Sequence, residues 1–380
     1  MGNITQYIDE YGDYSFEEKA FNDIDALIFS QLSYIDYSAI AGKFDSEITI
    51  SLKEASTEYF NLYEPEELKK RISIVVKAGK LLAQCAEKKR YGDIQLLKYA
   101  NNINDKIDKQ FSAINFYLND SLAVIAYRGT DTSITGIKES AMLSYMFPVP
   151  AQIEALYYLQ ECGLIAKRDI IVCGHSKGGN LATFAGVNCS NSLKKRILKI
   201  YEFDAPGFPK QMIESYNYNE MEDKIFSFIP QTSIIGCMLY HDSARKIVES
   251  SNENLKQHQV DSWQINGDKF VYNDETDDMS KFIDKYLKLL LDVVGEENTE
   301  DVFEIIFDFI EDTGITKYED IKTFDISRLI KAIVSLKEFD DEKKDLIENT
   351  IRQAIKEFSH LIYKEKFTNL AKHYPLFDNK

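Results

Sequence analysis

Residues Arg168–Asn188, RDIIVCGHSKGGNLATFAGVN, constrain the fold more than any other stretch of this chain. A short apolar run, Ile170-Ile171-Val172-Cys173, leads through Gly174-His175-Ser176-Lys177-Gly178-Gly179 into a helix of small residues. Strand, sharp turn and helix, with a serine at the apex of G-x-S-x-G, is the pattern of a nucleophile elbow. Such a turn holds the serine in a strained backbone conformation and lifts its hydroxyl above a sheet. Side chains two residues to either side would collide, so glycine is needed at 174 and 178. A bare G-x-S-x-G arises often by chance, and the flanking strand and helix give this one its weight.

The neighbouring segments supply a sheet for the elbow to stand on. Phe111–Tyr117 and Ser121–Tyr127 read as a β-hairpin around Asn119-Asp120, and the nearly all-apolar second arm reads as a central strand buried on both faces. A helix is expected over Ala151–Cys162, then strands at Ile197–Phe203, Lys224–Ile229 and Arg245–Glu249. A last hairpin pairs Val260–Ile265 with Lys269–Tyr272. Ahead of the sheet, the capping box Ser15-Phe16-Glu17-Glu18 predicts the start of a helix carrying Phe21, Ile24, Leu27, Ile28 and Leu32. Pro65 predicts the first turn of a second helix, over about Glu66–Glu87.

Strands alternating with helices from about 111 to 275 argue for an α/β sheet with helices on both faces. Beyond residue 275 the pattern is helical, with stripes at Phe282, Tyr286, Leu289, Leu290 and Val293, at Val302, Ile305, Ile306 and Phe309, and at Leu329, Ile330, Ile333 and Leu336. The expected organisation is an α/β domain over 1–275, comprising N-terminal helices over 1–105 and a core over 106–275. A C-terminal helical extension over 276–380 follows.

A serine hydroxyl becomes a useful nucleophile when a base takes its proton and a third group orients the base. The oxyanion that forms needs two donors, one of them the backbone N–H after the nucleophile, here Lys177. Gly129-Thr130, at the end of the apolar strand, suits the second, because Thr130 offers an N–H and a hydroxyl. Of the five histidines, His175 sits beside the serine and leaves in another direction, which suits packing behind the elbow. His360 and His373 lie in the helical tail as expected surface residues. His241 and His258 lie downstream, as the order Ser, Asp, His requires, and His258, in a loop just before a strand, is the preferred base. Asp204 ends the strand after the elbow helix and is read two ways: as the acid, or as the cap of the Ala205-Pro206-Gly207 turn. Asp242 is a more distant candidate for the acid.

Composition removes other classes. Acidic residues outnumber basic ones, 62 against 45, for a net charge of −17, which disfavours nucleic acid and anionic membranes as bulk partners. Five cysteines, odd in number and without metal-ligand spacing, suggest a reducing compartment, and the N-terminus lacks a secretory pattern, so a cytoplasmic location is expected. No window has the apolar length of a transmembrane segment. No metal site or phosphate loop is apparent, and no cofactor is expected.

Three motifs line up with a known family. Val124-Ile125-Ala126-Tyr127-Arg128-Gly129-Thr130-Asp131 resembles the strand and oxyanion loop of class 3 (fungal-type) lipases. Gly174–Gly179 resembles their elbow, with lysine where leucine is usual, and Tyr201–Gly207 resembles the strand and turn after the elbow helix. Tyr11–Phe16, Phe21–Asp25 and Gln257-His258 with Ser262-Trp263 are closer still to a bacterial branch, the Mbeg-like family of lipase-like α/β-hydrolase domains. The resemblance covers about residues 4–273. It implies an α/β-hydrolase sheet of the lipase class 3 type, with Ser176 as nucleophile, His258 as base, and Thr130 and Lys177 as the oxyanion hole. One departure stands out: the turn Gln231–Gly236, where such lipases carry their acid, has Ser233 in that position. Either Asp204 supplies the acid, or the triad is incomplete.

The function expected is a serine hydrolase of carboxylic esters, acting on a small-molecule or lipid ester through an acyl-enzyme. The segment Ile134–Pro150, with Met142, Leu143, Tyr145, Met146 and Phe147, reads either as an apolar lid or as an ordinary buried helix. The alternative is a non-catalytic binding or scaffold protein that keeps the hydrolase fold. Its motives are Ser233 and the acidic helical tail, which would offer a face for a partner helix or a dimer.

Overall fold

A computed structural model describes residues 2–40, 49–63, 73–130, 139, 142–143, 146–165, 167–242, 244–294, 341–342, 344–354 and 356–357. The chain divides into two compact units, Met1–Leu143 with Phe147–Thr276, and Ser144–Met146 with Asp277–Lys380.

The first unit opens with helices α1 (Ile4–Tyr11) and α2 (Asp23–Leu32), strand β1 (Ile50–Ser51), and helices α3 (Leu52–Leu62) and α4 (Ser73–Ala86). Strands β2 (Gln95–Asn104), β3 (Lys109–Tyr117) and β4 (Leu122–Tyr127) follow, then α5 (Pro150–Ile165), β5 (Asp169–His175), α6 (Lys177–Asn188), β6 (Ile197–Phe203), β7 (Ile225–Pro230) and β8 (Arg245–Val248). Three two-residue strands complete it: β9 (Ile265–Asn266), β10 (Lys269–Phe270) and β11 (Tyr272–Asn273). Nine strands form one sheet in the order β1-β2-β3-β4-β5-β6-β7-β8-β11. From β4 to β8 all pairs are parallel, and antiparallel strands close both ends.

Period-two alternation explains why the central strands are apolar throughout. Val124 and Ala126 of β4, with Ile171 and Cys173 of β5, face a core shared with Leu27, Ile28 and Phe29 of α2. Ile125 and Tyr127, with Ile170 and Val172, face the opposite core, shared with α5 and α6 through Ala151, Leu181 and Ala185. A mixed sheet with helices on both faces and the elbow at the end of a parallel strand is an α/β-hydrolase arrangement. The hairpin of β3 and β4 turns at Asn119, whose Oδ1 accepts from the Ser121 and Leu122 amides at 2.9 Å each.

The N-terminal region departs from expectation. The Ser15–Glu18 box forms, with the Ser15 amide donating to Glu18 Oε2 at 2.7 Å, but it closes a turn, and the helix begins at Asp23 under an Asn22 cap. The reason is Arg90, fully buried, whose guanidinium collects the carbonyls of Tyr14, Ser15, Lys19 and Ala20. Those oxygens point inward to a cation, so 15–20 wraps it and does not coil. The same guanidinium grips Asp25 Oδ1 and Oδ2 at 2.8 and 2.6 Å.

The last hairpin is also shorter than expected. Residues 260–262 form a 3-10 turn, β9 is two residues long, and Tyr272 pairs with Val248 of β8. Fully buried Trp263 fixes this, because its Nε1 donates to the Gln257 carbonyl at 2.9 Å and its ring packs on Phe203 and Phe270. The first turn of the helix predicted from Pro65 and the stripes beyond residue 300 lie outside the described residues, as does much of the predicted lid. Within that segment Met142 and Leu143 are buried, and Phe147 packs edge-on against Phe184. In the second unit, helix α7 (Asp278–Val294) carries Phe282 against Tyr286.

Candidate active site

β5 ends at His175, and Ser176 follows with φ 57° and ψ −135°, a conformation that costs a non-glycine residue on the order of 1–3 kcal/mol. The surroundings hold it there: the Ser176 amide donates to Phe203 O and its carbonyl accepts from Gly179 N–H, both at 2.9 Å. A Cβ at Gly174 would lie 2.1 Å from the Gly178 carbonyl, and one at Gly178 would lie 2.2 Å from the Tyr127 carbonyl. Both positions therefore admit no side chain, and α6 starts hard against the ends of β4 and β5. Ser176 stays partly exposed. The loop after β4 lies beside it, since a Cβ placed on Gly129 would be 3.2 Å from Ser176 Cβ. Thr130, next in that loop, is half-buried.

His258 closes a short 3-10 turn, Asn254–His258. Its Nδ1 lies 2.6 Å from Asp204 Oδ2, and its side chain keeps 30% of its exposure. Gln257 fixes the turn by accepting from Thr232 N–H and Trp263 Nε1, each at 2.9 Å. Donation to an ionised carboxylate puts the proton on Nδ1 and leaves Nε2 as a base.

Asp204 is buried, with φ 45°. Its Oδ2 serves His258, while Oδ1 accepts from Ser233 Oγ at 2.5 Å and from Gly236 N–H at 3.2 Å. Burial pushes its pKa up, but the hydrogen bond and charge of His258, with the Ser233 hydroxyl, outweigh that and hold it below the ordinary carboxylate value. Of the two roles read for Asp204, the carboxylate thus contacts His258 and not the 205–207 turn. Ser233, which stands where class 3 lipases carry their acid, donates its hydroxyl to Asp204. Gly236 must lack a side chain, because a Cβ there would lie 2.7 Å from Asp204 Oδ1.

Nδ1 of His241 lies 4.0 Å from Glu202 Oε1, and Asp242 is exposed. His360 and His373 lie outside the described residues. His175 is buried behind the elbow, with Nδ1 3.0 Å from Tyr34 OH and Nε2 3.0 Å from the His258 carbonyl. A carbonyl only accepts, so Nε2 carries the proton and the Tyr34 hydroxyl donates to Nδ1. The two imidazole rings pack at 4.5 Å between centroids. His175 therefore ties Tyr34, just past α2, to the turn that carries His258, a link the motif alone did not reveal.

Burial, with the facing His258 ring adding to it, pushes the His175 pKa from 6.5 down to about 3. The unfolded chain takes up that proton below about 6.5, and the folded one holds out to about 3. Stability from this residue is full above pH 6.5 and falls as pH drops through that window, by up to about 1.4 kcal/mol per pH unit. Urea unfolding between pH 4 and 7 should show this slope, shallower by about one proton in His175→Gln. Equal slopes in the two proteins would remove the neutral buried His175.

Lys177 follows the serine at the first position of α6. Its side chain was invisible as a site component in the sequence. It is 1% exposed, and the ammonium contacts Gln110 O and Oε1 at 2.8 Å and Glu139 Oε2 at 2.7 Å. Glu139 also accepts from the Gln110 and Ala151 amides at 2.9 Å. The signal available was lysine in an apolar elbow position, which demands a buried counter-charge without saying which.

Among the described residues no three or more His, Cys, Asp or Glu side chains gather as a metal site, and no helix is long and apolar enough to cross a membrane. All five cysteines are free and buried.

No curated protein sequence matches the chain. Three solved structures with some likeness are lipases. M37 lipase is 15% identical, with 57% of this chain and 69% of that one covered and a TM-score of 0.34. Lip2 lipase from Yarrowia lipolytica is 14% identical over 49% and 74%, at 0.32. The Rhizomucor miehei lipase propeptide complex is 12% identical over 68% and 76%, at 0.36. Likenesses this distant bear on neither substrate nor activity. The match to a family model is of another kind. It starts later than the resemblance expected from residue 4, leaving out Tyr11–Phe16 and Phe21–Asp25, and it runs further, to residue 308. The model, described as Mbeg1-like, matches residues 85–308, a span that holds the loop after β4, the elbow, Asp204 and His258, and the chain belongs to the Mbeg1-like family.

Proposed function

We propose that the protein is a serine hydrolase of carboxylic esters, lipid esters among them. The observation that carries this is His258, held between the Asp204 carboxylate at 2.6 Å and the ring of His175, the residue that precedes a strained and partly exposed Ser176. In this reading Ser176 Oγ attacks the ester carbonyl carbon while His258 Nε2 takes its proton. The amides of Lys177 and Thr130 hold the oxyanion. The bond to the alcohol oxygen then breaks, and His258 returns its proton to that oxygen. Water attacks the acyl-enzyme with His258 again as base, releasing the acid and restoring Ser176. Asp204 stays ionised throughout and steadies the imidazolium. No cofactor enters these steps, and the free, buried cysteines suit a reducing, cytoplasmic setting.

The scaffold reading drew on Ser233 at the expected acid position and on the acidic helical tail; the contact of Asp204 with both Ser233 and His258 favours the hydrolase. A fluorophosphonate probe on the folded full chain tests the reaction. A covalent adduct is expected on Ser176 by peptide mass spectrometry, and none on Ser176→Ala. Absence of an adduct on folded protein would overturn the proposal.

A further inference from the structure

A cavity of about 440 Å³ lies between α1, α4 and the turn that carries His258. His258 and His175 form part of its wall, whereas Ser176 and Thr130 do not line it. This asymmetry says which half of an ester belongs there. In acyl transfer the base hands its proton to the departing alcohol oxygen, so that oxygen must lie against the base. If the cavity serves the reaction, a wall made by the base and not by the nucleophile suits the alcohol side of the scissile bond.

Its chemistry narrows the alcohol. Ile4, Ile74, Leu81 and Val260 give it an apolar wall. Gln31 also lines it, is only 6% exposed, and has an Nε2 with no hydrogen-bond partner, a donor waiting for an acceptor. Two lysines stand on the α4 side. Lys77 is matched by Asp261 at 2.7 Å, while exposed Lys80 has no carboxylate partner among the described residues. One lining cation is thus left over, in a chain whose net charge is −17. An unmatched positive charge beside an apolar wall suits a ligand with an apolar body and an anionic end.

We infer that this cavity is the leaving-group site, and that the preferred esters are those of an apolar alcohol bearing a carboxylate or phosphate. The inference rests on the proposed esterase reading and adds the identity of the alcohol half. Two esters with the same acyl group test it on the full chain: 4-(butyryloxy)phenylacetate, whose leaving phenol carries a carboxylate, and neutral 4-methylphenyl butyrate. The expected ratio of kcat/KM favours the carboxylated ester about threefold, within the range of an exposed ion pair. The ratio falls to about one in Lys80→Ala and inverts in Lys80→Glu. A ratio of one in the wild type, or a preference that survives Lys80→Ala, overturns the inference.

If neither ester is cleaved, the esterase reading fails, and the cavity is judged separately by equilibrium dialysis of 4-hydroxyphenylacetate against p-cresol. Tighter binding of the anion that is lost in Lys80→Glu supports the anion-selective cavity. Equal or absent binding removes that too.

Discussion

Asp204→Asn is expected to lower kcat/KM for a simple ester by about four orders of magnitude while the protein stays folded. The size of the loss follows from how the carboxylate is used. Ser233 Oγ and the Gly236 amide both donate to Oδ1, at 2.5 and 3.2 Å. In the asparagine variant those two donors hold the amide oxygen and turn the NH₂ group toward His258. A donor facing Nδ1 forces the ring proton onto Nε2, and a protonated Nε2 cannot take the proton of Ser176. The variant changes almost no volume, so thermal unfolding should shift little beside the loss of rate. Ser233→Ala removes one donor to the same oxygen and leaves the tautomer alone, so its effect stays within about tenfold. An Asp204→Asn enzyme within tenfold of wild type would mean that another group orients the base.

The largest expected change in stability comes from the buried pair beside the elbow. Glu139→Ala takes away a carboxylate 2.7 Å from the Lys177 ammonium, both side chains being at most 1% exposed. Breaking a buried pair from one side costs about 3–5 kcal/mol, since an uncompensated charge remains in the interior. At about 2–4 °C per kcal/mol for a domain of this size, the melting temperature should fall by roughly ten degrees. Lys177→Leu should cost less, because Glu139 keeps the Gln110 and Ala151 amides as donors. Lys177→Leu with Glu139→Leu should recover most of the loss, as replacement of a whole buried pair by apolar groups often does. A Glu139→Ala protein destabilised by less than about 1 kcal/mol would show that the pair is not the ion pair drawn from its geometry.

This pair also shows why part of the site was hidden from the sequence. The elbow was legible at Gly174–Gly179 because its constraint is local: two glycines and a serine within five residues meet one another across a single turn. The β3–β4 hairpin was legible for the same reason, its turn being closed by Asn119 on amides two and three residues away. The Ser15–Glu18 box formed its own bonds but opened no helix, because Arg90, far along the chain, claimed the carbonyls a helix needed. Lys177 gave a visible anomaly and no partner, since Glu139 reaches it across 38 residues.

What the sequence determined by itself was short-range: the strained serine, the apolar strands, the α/β order of elements and the glycines without which α6 cannot start. Which histidine meets which carboxylate was decided only by tertiary structure. Asp204 and His258 lie 54 residues apart, and they meet because β6 ends beside a turn pinned by Trp263, Thr232 and His175. Spacing along a chain fixes contacts over a few residues. Over longer distances the partner is chosen by how the sheet stacks its strand ends, and no single segment carries that information.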